Sequence, residues 1–506
     1  RKNMIHTPIL PVIIPLIAGF SLLLIKRFGL KTQEIFSLIS VFIIILVSIF
    51  AFTKTLSNDI FVYSLGNWEA PFGIVLVLDQ FSILMVLVAS LLAFGALWYA
   101  ISEGIDKKGA HFHPLFQLQL FGLNGAFLTG DLFNLFVFFE ILLLASYSLL
   151  LHAKGEGRVK AGLHYVVINL VGSTLFLFAV GTLYGILGTL NIADLSQKVA
   201  HLSPENVSIV ASAGLLLLIV FGLKAAMFPL YFWLPNAYGK TSAPVAALFA
   251  IMTKVGIYSI IRVHGTIFGQ NANELAFYYT PWVLYIGLIT LVLATFGVLS
   301  SKELKTQISY LVLLSVSTIL IAIGINSKEA LSGAIFYMIH STFVAGGFFL
   351  IADVILKARN STSLRPKMPI FKNAILIGSI FFIFAIAIAG LPPFSGFFGK
   401  IMILKSSINH TQTALILTTV LLSSLLVIVS LARSGTNIFY DTRAKEEESN
   451  YKLSKSTLSS IVYLFSFTII LVLFANNITQ ITENIASNLV DTNSYISTVL
   501  NPNEEL

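Results

Sequence analysis

The sequence of 506 residues contains no cysteine and few charged residues. Without cysteine the chain cannot form a disulfide, a thiolate-held iron–sulfur cluster or a zinc site built on cysteine ligands. Charged residues make up 11% of the sequence and hydrophobic residues 57%, whereas an ordinary globular domain has about 25% charged residues. A soluble fold could not cover so much apolar surface. The composition therefore predicts an integral membrane protein without a cysteine-ligated redox centre.

The net charge of +8 does not indicate a nucleic-acid partner. The basic residues stand apart between long apolar runs, whereas a nucleic-acid interface gathers them on one face. The sequence also lacks a phosphate-binding P-loop, a dinucleotide fingerprint, a nucleophile elbow and a zinc-protease helix. We therefore expect no nucleic acid, no cofactor and no metal, and we expect the lipid bilayer as the main surrounding of the chain.

Apolar windows of the length that a membrane span needs predict an all-α polytopic fold with about fourteen transmembrane helices. Arg27, Lys31, Lys107 and Lys108 lie in loops that follow odd-numbered spans. Because basic residues favour the cytoplasmic side, these loops are predicted inside and both termini outside. The predicted spans are 7–26, 34–56, 78–101, 112–130, 132–151, 161–188, 208–238, 242–263, 279–300, 304–325, 330–356, 373–408, 412–435 and 456–476.

Two of these spans are too long for one helix and contain helix breakers. Segment 208–238 contains Pro229, and segment 373–408 contains the pair that begins at Pro392. Proline removes a backbone hydrogen bond, and in lipid such a break persists only where protein or water replaces that bond. Broken helices at corresponding places in two halves of a chain indicate the working site of a transporter.

The two breaks predict two inverted five-helix repeats, each with one broken helix, because each break neighbours an intramembrane lysine. An odd number of spans per repeat requires that the two copies have opposite orientations in the membrane. The predicted division is an N-terminal three-helix segment at 1–110, a first repeat at 111–265 (spans 4–8), a second repeat at 278–436 (spans 9–13), and a loop, last span and acidic outer tail at 437–506.

Five titratable residues fall deep inside predicted spans: Glu140, Lys224, Lys254, His340 and Lys400. A charge at the bilayer centre costs at least about 2.5–3.5 kcal/mol on insertion scales. The presence of each of these residues in a span therefore requires a structural or functional explanation. One carboxylate cannot neutralise three lysines, and burial disfavours the charged form of an unpaired amine. We interpret the five residues as a proton relay. The alternative interpretation is a static ion pair in which Glu140 and one lysine hold helices together.

Three further residues are weaker candidates. Asp79 lies near the predicted outer end of the third span, where it could cap a helix or pair with a neighbour. Asp131 has the position of an N-cap at the start of the fifth span. His164 lies towards an inner helix end, where pairing or extension of the side chain towards water would account for it.

Four segments carry a family resemblance: DLFNLFVFFE at 131–140, FGLKAAMFP at 221–229, KVGIY at 254–258 and LPPFSGFFGK at 391–400. They resemble the antiporter-like subunit family, which comprises proton-pumping subunits of respiratory complex I and of membrane-bound hydrogenases together with the large subunits of Mrp-type Na⁺/H⁺ antiporters. Within it the chain is most similar to the D-type Mrp subunits, because Lys400 stands where a complex I subunit of similar size has a glutamate. The resemblance extends over essentially the whole chain.

The resemblance implies a role for each residue of the relay. Glu140 would pair with Lys224 and modulate its protonation. Lys224 and Lys254 would take up protons from a first half-channel, His340 would pass them on, and Lys400 would deliver them towards a second half-channel.

The resemblance also implies partners and a reaction. The chain would assemble with the other Mrp antiporter subunits in one hetero-oligomeric complex of a bacterial plasma membrane. That complex would exchange internal Na⁺ for external H⁺ by using the proton motive force. Two alternatives stay open: a proton-pumping membrane subunit of a complex I-like quinone reductase or membrane-bound hydrogenase, and a uniporter for organic solutes, which would need a polar pocket at the midplane.

Overall fold

The computed structural model describes residues 6–153, 155–361, 363–365, 367–442 and 450–502. The N-terminal part consists of three long helices and one small antiparallel hairpin, in which Phe61 pairs with Leu78 and Ser64 with Val75. Its elements are α1 (Leu10–Ile25), α2 (Leu30–Thr55), β1 (Phe61–Ser64), β2 (Val75–Leu78) and α3 (Gln80–Ser102).

The middle and C-terminal parts are helical. The middle helices are α4 (Phe112–Leu128), α5 (Leu132–Leu151), α6 (Glu156–Leu187), α7 (Ile192–Ala200), α8 (Val207–Ala225), α9 (Trp233–Lys240), α10 (Ala243–Phe249), α11 (Met252–Ser259) and α12 (Gly265–Ile267). The next are α13 (Thr280–Ser300), α14 (Leu304–Ile325), α15 (Lys328–Arg359), α16 (Ala374–Ala389), α17 (Ser395–Ser406) and α18 (Thr413–Phe439). The chain then forms α19 (Lys455–Leu473), α20 (Ala475–Val490) and α21 (Asn493–Leu500).

Twelve helical segments of the described ranges are long and apolar enough to cross a membrane. The predicted fourth span corresponds to α4, which has 17 residues, and the predicted twelfth span is divided into α16 and α17, with 16 and 12 residues. The all-α polytopic prediction is confirmed. The count of fourteen spans, the two repeats and the division into domains stay predictions.

The helices form a buried centre and an apolar periphery. The segment Ala243–Ile267 is buried throughout, and α14 and α15 are almost as completely enclosed, whereas α6, α18 and α19 bury only about a third of their most apolar stretch. Between helices in lipid, packing and hydrogen bonds replace the hydrophobic effect, so titratable groups are tolerated mainly in such a protein-lined centre.

Short polar side chains begin several of the helices. Asp79 forms a capping box with Ser82 at the start of α3, and the carboxylate of Asp131 accepts a hydrogen bond from the Asn134 amide, 2.9 Å away, at the start of α5. These oxygens satisfy amides that have no partner in the first helical turn. The predicted N-cap at Asp131 is therefore confirmed.

Both predicted helix breaks are present. Helix α8 ends at Ala226, whose φ is +63°, and α16 ends at Gly390, whose φ is +78°. Both values lie in the left-handed region that ends a helix. Lys224 stands before its break and Lys400 after its break, so the two lysines lie on opposite sides of otherwise similar interruptions.

The structure differs from the predicted span 242–263, which is not one helix. It is divided between α10 and α11 at Ala250 and Ile251, and a π-turn at Ile260–His264 follows α11. The hairpin and the short helices α7, α20 and α21 were also absent from the prediction. Hydropathy averaged over about 20 residues cannot detect elements that are short or polar on one face.

We expect Gly256→Ala to destabilise the protein, because Gly256 lets α11 approach the backbone of α8. A Cβ there would lie 2.5 Å from the Ala225 nitrogen and 2.6 Å from the Phe221 oxygen. Such overpacking costs about 1–3 kcal/mol. Gly181→Ala in α6 is the matched control, since its Cβ would meet no atom within 4 Å. The Tm of the purified assembly checks this, and equal Tm values for the two variants would contradict the packing account.

Candidate functional site

Glu140 lies on α5 and is bonded to a serine of the neighbouring helix. The Ser173 hydroxyl on α6 donates a hydrogen bond to Glu140 Oε1. Ser173 also lines a cavity of about 300 Å³ between α5, α6 and α8, and Lys224 lines the same cavity. The carboxylate and the lysine are thus linked through one hydroxyl and a small internal space.

Lys224 is buried in the last turn of α8 and forms no ion pair within the described ranges. Its Nζ lies 5.4 Å from the centroid of the Phe139 ring, a cation–π distance. The direct Glu140–Lys224 pair that the resemblance implies is therefore not formed in this structure, because Glu140 bonds to Ser173 and Lys224 faces an aromatic ring.

Lys254 on α11 is 0% exposed. Its Nζ donates a hydrogen bond of 3.3 Å to the Ser315 hydroxyl on α14. Gly256, two residues further along, brings α11 against α8 directly after Lys224. The two lysines therefore stand on closely packed helices, and Lys254 is held by a neutral hydroxyl.

His340 on α15 is also fully buried. Its Nδ1 forms a hydrogen bond of 2.7 Å with the hydroxyl of Ser395, the first residue of α17 after the second helix break. Its Nε2 has no hydrogen-bond partner in the described part of the chain. Gly396 permits this approach, since a Cβ there would lie 2.7 Å from His340 Nε2. One ring nitrogen is therefore anchored and the other is free to accept or donate a proton.

Lys400 on α17 points back to the broken end of α16. Its Nζ donates one hydrogen bond of 3.1 Å to the Ala389 carbonyl and one of 2.9 Å to the Ser424 hydroxyl on α18. Ala389 is the last residue of α16, so its carbonyl lacks a helical partner. The helix break therefore supplies a backbone acceptor for Lys400.

Four of the five predicted relay residues share one pattern of bonding. Each forms a hydrogen bond with a serine hydroxyl of another helix: Glu140 with Ser173, Lys254 with Ser315, His340 with Ser395 and Lys400 with Ser424. In the described ranges no carboxylate pairs with the three lysines or the histidine. A hydroxyl both donates and accepts, so it can serve either protonation state of its neighbour.

The weaker candidates have different surroundings. The carboxylate of Asp79 accepts hydrogen bonds of 2.7 and 2.6 Å from Arg262, which is 5% exposed, besides capping α3. Asp131 caps α5, and burial raises the pKa of its carboxyl group although the Asn134 amide opposes this. His164 is exposed on α6. In the described part of the chain, no hydrogen bond joins any of these three residues to a relay residue.

Arg262 and the serines at positions 315 and 424 are functional candidates that the sequence patterns did not predict. Arg262 lies at the end of the predicted span 242–263, where the Asp79 carboxylate and the π-turn hold it inside the protein. A basic residue within an otherwise apolar segment was the available signal. No comparable signal marks the two serines, because each meets its lysine only through packing of distant helices.

The middle of the chain, residues 129–426, matches the family described as NADH:quinone oxidoreductase/Mrp antiporter, transmembrane. The chain belongs to this family.

Two curated relatives of this chain are named as antiporter subunits. The chain is 38% identical over 496 residues to the D-type subunit of a Na(+)/H(+) antiporter from Alkalihalophilus pseudofirmus, an alignment covering 97% of this chain and 99% of the relative. It is 39% identical over 470 residues to the D-type subunit of a probable K(+)/H(+) antiporter from Rhizobium meliloti, covering 86% and 87%. The resemblance to D-type Mrp subunits is confirmed.

A solved structure of the family has the same fold. A chain of the Mrp complex from Dietzia sp. DQ12-45-1b superimposes with a TM-score of 0.88 at 25% identity, covering 99% of this chain and 100% of that one. The two chains therefore share one overall fold.

We expect Asp79→Asn to lower the stability of the assembly, because it leaves the Arg262 guanidinium buried without a counter-charge. Breaking a buried pair in this way costs about 3–5 kcal/mol, while asparagine still caps α3. The same change at Asp441, whose partner Lys367 lies 2.6 Å away in a pair exposed on both sides, is the control. An exposed pair contributes only about 0.2–1 kcal/mol.

Thermal unfolding of the purified assembly checks the pair. The double variant Asp79→Asn with Arg262→Gln should regain part of the Tm that Asp79→Asn alone loses. A Tm for Asp79→Asn that matches the Asp441→Asn control would contradict the assignment.

Proposed function

We propose that this chain is the proton-translocating subunit of a multisubunit antiporter, which exchanges internal Na⁺ for external H⁺ by using the proton motive force. The names of its curated relatives support the antiporter assignment. The observation that carries the role of this subunit is the row of buried basic groups held by hydroxyls and a free carbonyl, because such groups can gain and lose a proton without breaking an ion pair.

The relay would begin at Lys224 and end at Lys400. Glu140 would modulate Lys224 through Ser173 and the shared cavity, and Lys254 would exchange protons by way of Ser315. His340 would pass the proton through its free Nε2 while Ser395 holds its ring. Lys400 would release it at the second helix break.

The chain would act inside a larger membrane complex of other antiporter subunits. We place it in the plasma membrane of a bacterium as a multi-pass protein with both termini outside, on the basis of the basic loops. The large apolar faces of the peripheral helices would contact lipid and neighbouring subunits. Relatives named for Na⁺ and for K⁺ exist, so a monovalent alkali cation is the substrate class and Na⁺ is our first choice.

The family description also includes quinone oxidoreductases, which keeps one alternative open: a membrane subunit of a redox-driven proton pump. The two functions differ in what drives proton movement. Cation-dependent proton exchange in vesicles without an electron donor supports antiport, whereas proton movement that requires an electron donor supports the alternative.

We expect Lys224→Ala to abolish Na⁺-dependent dissipation of a proton gradient, with at least about a tenfold loss of rate, because loss of a positioned proton carrier has effects of that size. Glu140→Ala should act in the same direction. Both variants should still assemble, since neither residue forms an ion pair in the described ranges. The measurement is antiport in inverted vesicles of an antiporter-deficient host that expresses the whole complex.

Lys302→Ala is the matched control, because Lys302 is an exposed lysine in the loop between α13 and α14. It should keep the rate of the unmodified complex. Loss of assembly in both Lys224→Ala and Glu140→Ala would support the static ion-pair interpretation. Normal antiport by an assembled Lys224→Ala complex would contradict the relay.

A further inference from the structure

A second polar cavity lies away from the relay, where the start of α3 meets the two C-terminal helices. It is a small space, partly open to solvent, and is lined by Asn58 and Asp59 before the hairpin, Asp79 and Gln80 at the start of α3, Asn488 of α20 and Tyr495 of α21. We call it the vestibule. Asn488 at its rim is exposed and donates a hydrogen bond of 3.1 Å to Asn58 Oδ1.

One buried side chain of the vestibule has no hydrogen-bond partner in the described part of the chain. Gln80 is 3% exposed, and neither its Oε1 nor its Nε2 forms a hydrogen bond there. A buried amide without a partner is unfavourable unless water or an ion satisfies it. The cavity therefore suits water.

The inner end of the vestibule is the Asp79–Arg262 ion pair. Asp79 and Phe81 line the cavity, as does Tyr495. All three also contact Arg262: the carboxylate through hydrogen bonds and the Phe81 and Tyr495 rings at 5.6 and 4.9 Å from the guanidinium carbon. The arginine thus closes the cavity from the protein side.

From this arginine a line of polar side chains follows one helix to the relay. Arg262 Nε donates a hydrogen bond of 3.3 Å to the Tyr258 hydroxyl, and Tyr258 lies one turn from Lys254 on α11. Residues spaced by four share a helix face. The π-turn at Ile260–His264 holds Arg262 at the end of this face, and π-turns are frequent at functional sites. Tyr258 donates its own hydrogen bond of 2.6 Å to the Phe127 carbonyl, so the polar groups extend from the vestibule as far as the helical turn that follows Lys254, the most deeply buried lysine.

We propose that the vestibule is the port through which water-borne protons reach Lys254 from the predicted outer side, and that the Asp79–Arg262 pair is its gate. The proposal rests on the proposed function. The two hydrogen bonds from Arg262 to the Asp79 carboxylate close the inner end of the vestibule. When the guanidinium moves away from Asp79, water reaches Tyr258 and Lys254, and the arginine keeps its charge throughout.

The absence of cysteine from this chain permits a direct test by thiol labelling. Asn488→Cys and Ser494→Cys place a thiol at the rim on α20 and on α21, both at exposed positions lining the vestibule. Asn477→Cys is the control, since Asn477 is the same residue type on α20, is exposed, and does not line the vestibule. The reagent is a permanently charged methanethiosulfonate that cannot cross the membrane.

Na⁺-dependent antiport of the whole complex is measured in right-side-out vesicles before labelling, after labelling, and after reduction of the mixed disulfide. Labelling at either rim position should remove most of the antiport, and reduction should restore it. Labelling at Asn477→Cys, and treatment of the complex without an introduced cysteine, should leave the rate unchanged.

Three results would overturn the port. These are normal antiport after complete rim labelling, rim labelling only in inverted vesicles, and equal inhibition at the control position. The rate before labelling separates this proposal from the function itself. If unlabelled complexes show no antiport that depends on Lys224, the proposed function fails; if they show it and rim labelling has no effect, only the port fails.

Discussion

Burial of cationic side chains without a matching carboxylate is the constraint on which the interior of this protein depends. Lys224, Lys254 and Lys400 lie inside the helical assembly. Within the described residues, their amino groups contact hydroxyls, a carbonyl and an aromatic ring. A permanent ion pair would lower the energy of the charged state and keep the proton in place. Neutral partners reduce the cost of burial and leave protonation reversible, which is the property that a relay needs.

The broken helices follow from the same constraint. In the interior of a continuous helix, every carbonyl accepts a hydrogen bond from the amide four residues further along. Such a helix interior therefore offers a lysine no free backbone acceptor. The break after α16 frees the Ala389 carbonyl for Lys400 and places Ser395 against His340. Gly390 and Gly396 make the break possible, the first by its φ of +78° and the second because a Cβ would collide with the histidine ring. The helix is therefore interrupted where the relay needs free polar groups of the backbone.

Much of the architecture could be predicted because it depends on local sequence. Apolar windows located the long helices, proline located both breaks, and Asp131 was recognised as a cap. The partners could not be predicted, because they depend on how distant helices pack. Ser315 is 61 residues from Lys254, and Arg262 is 183 residues from Asp79. The resemblance implies a pair of Glu140 with Lys224, whereas the structure bonds Glu140 to Ser173.

The central claim is that Lys400 works by releasing a proton and not by holding a charge, and the variant Lys400→Arg tests it most directly. Arginine keeps the positive charge but does not lose its proton at any working pH. Antiport rates of Lys400→Arg and Lys400→Ala complexes, measured in vesicles from about pH 7 to about pH 9 with the assembled complex quantified in each preparation, decide between the two. The account predicts that Lys400→Arg loses antiport almost as completely as Lys400→Ala. Near-normal exchange by the arginine variant would contradict it and would make Lys400 an electrostatic anchor.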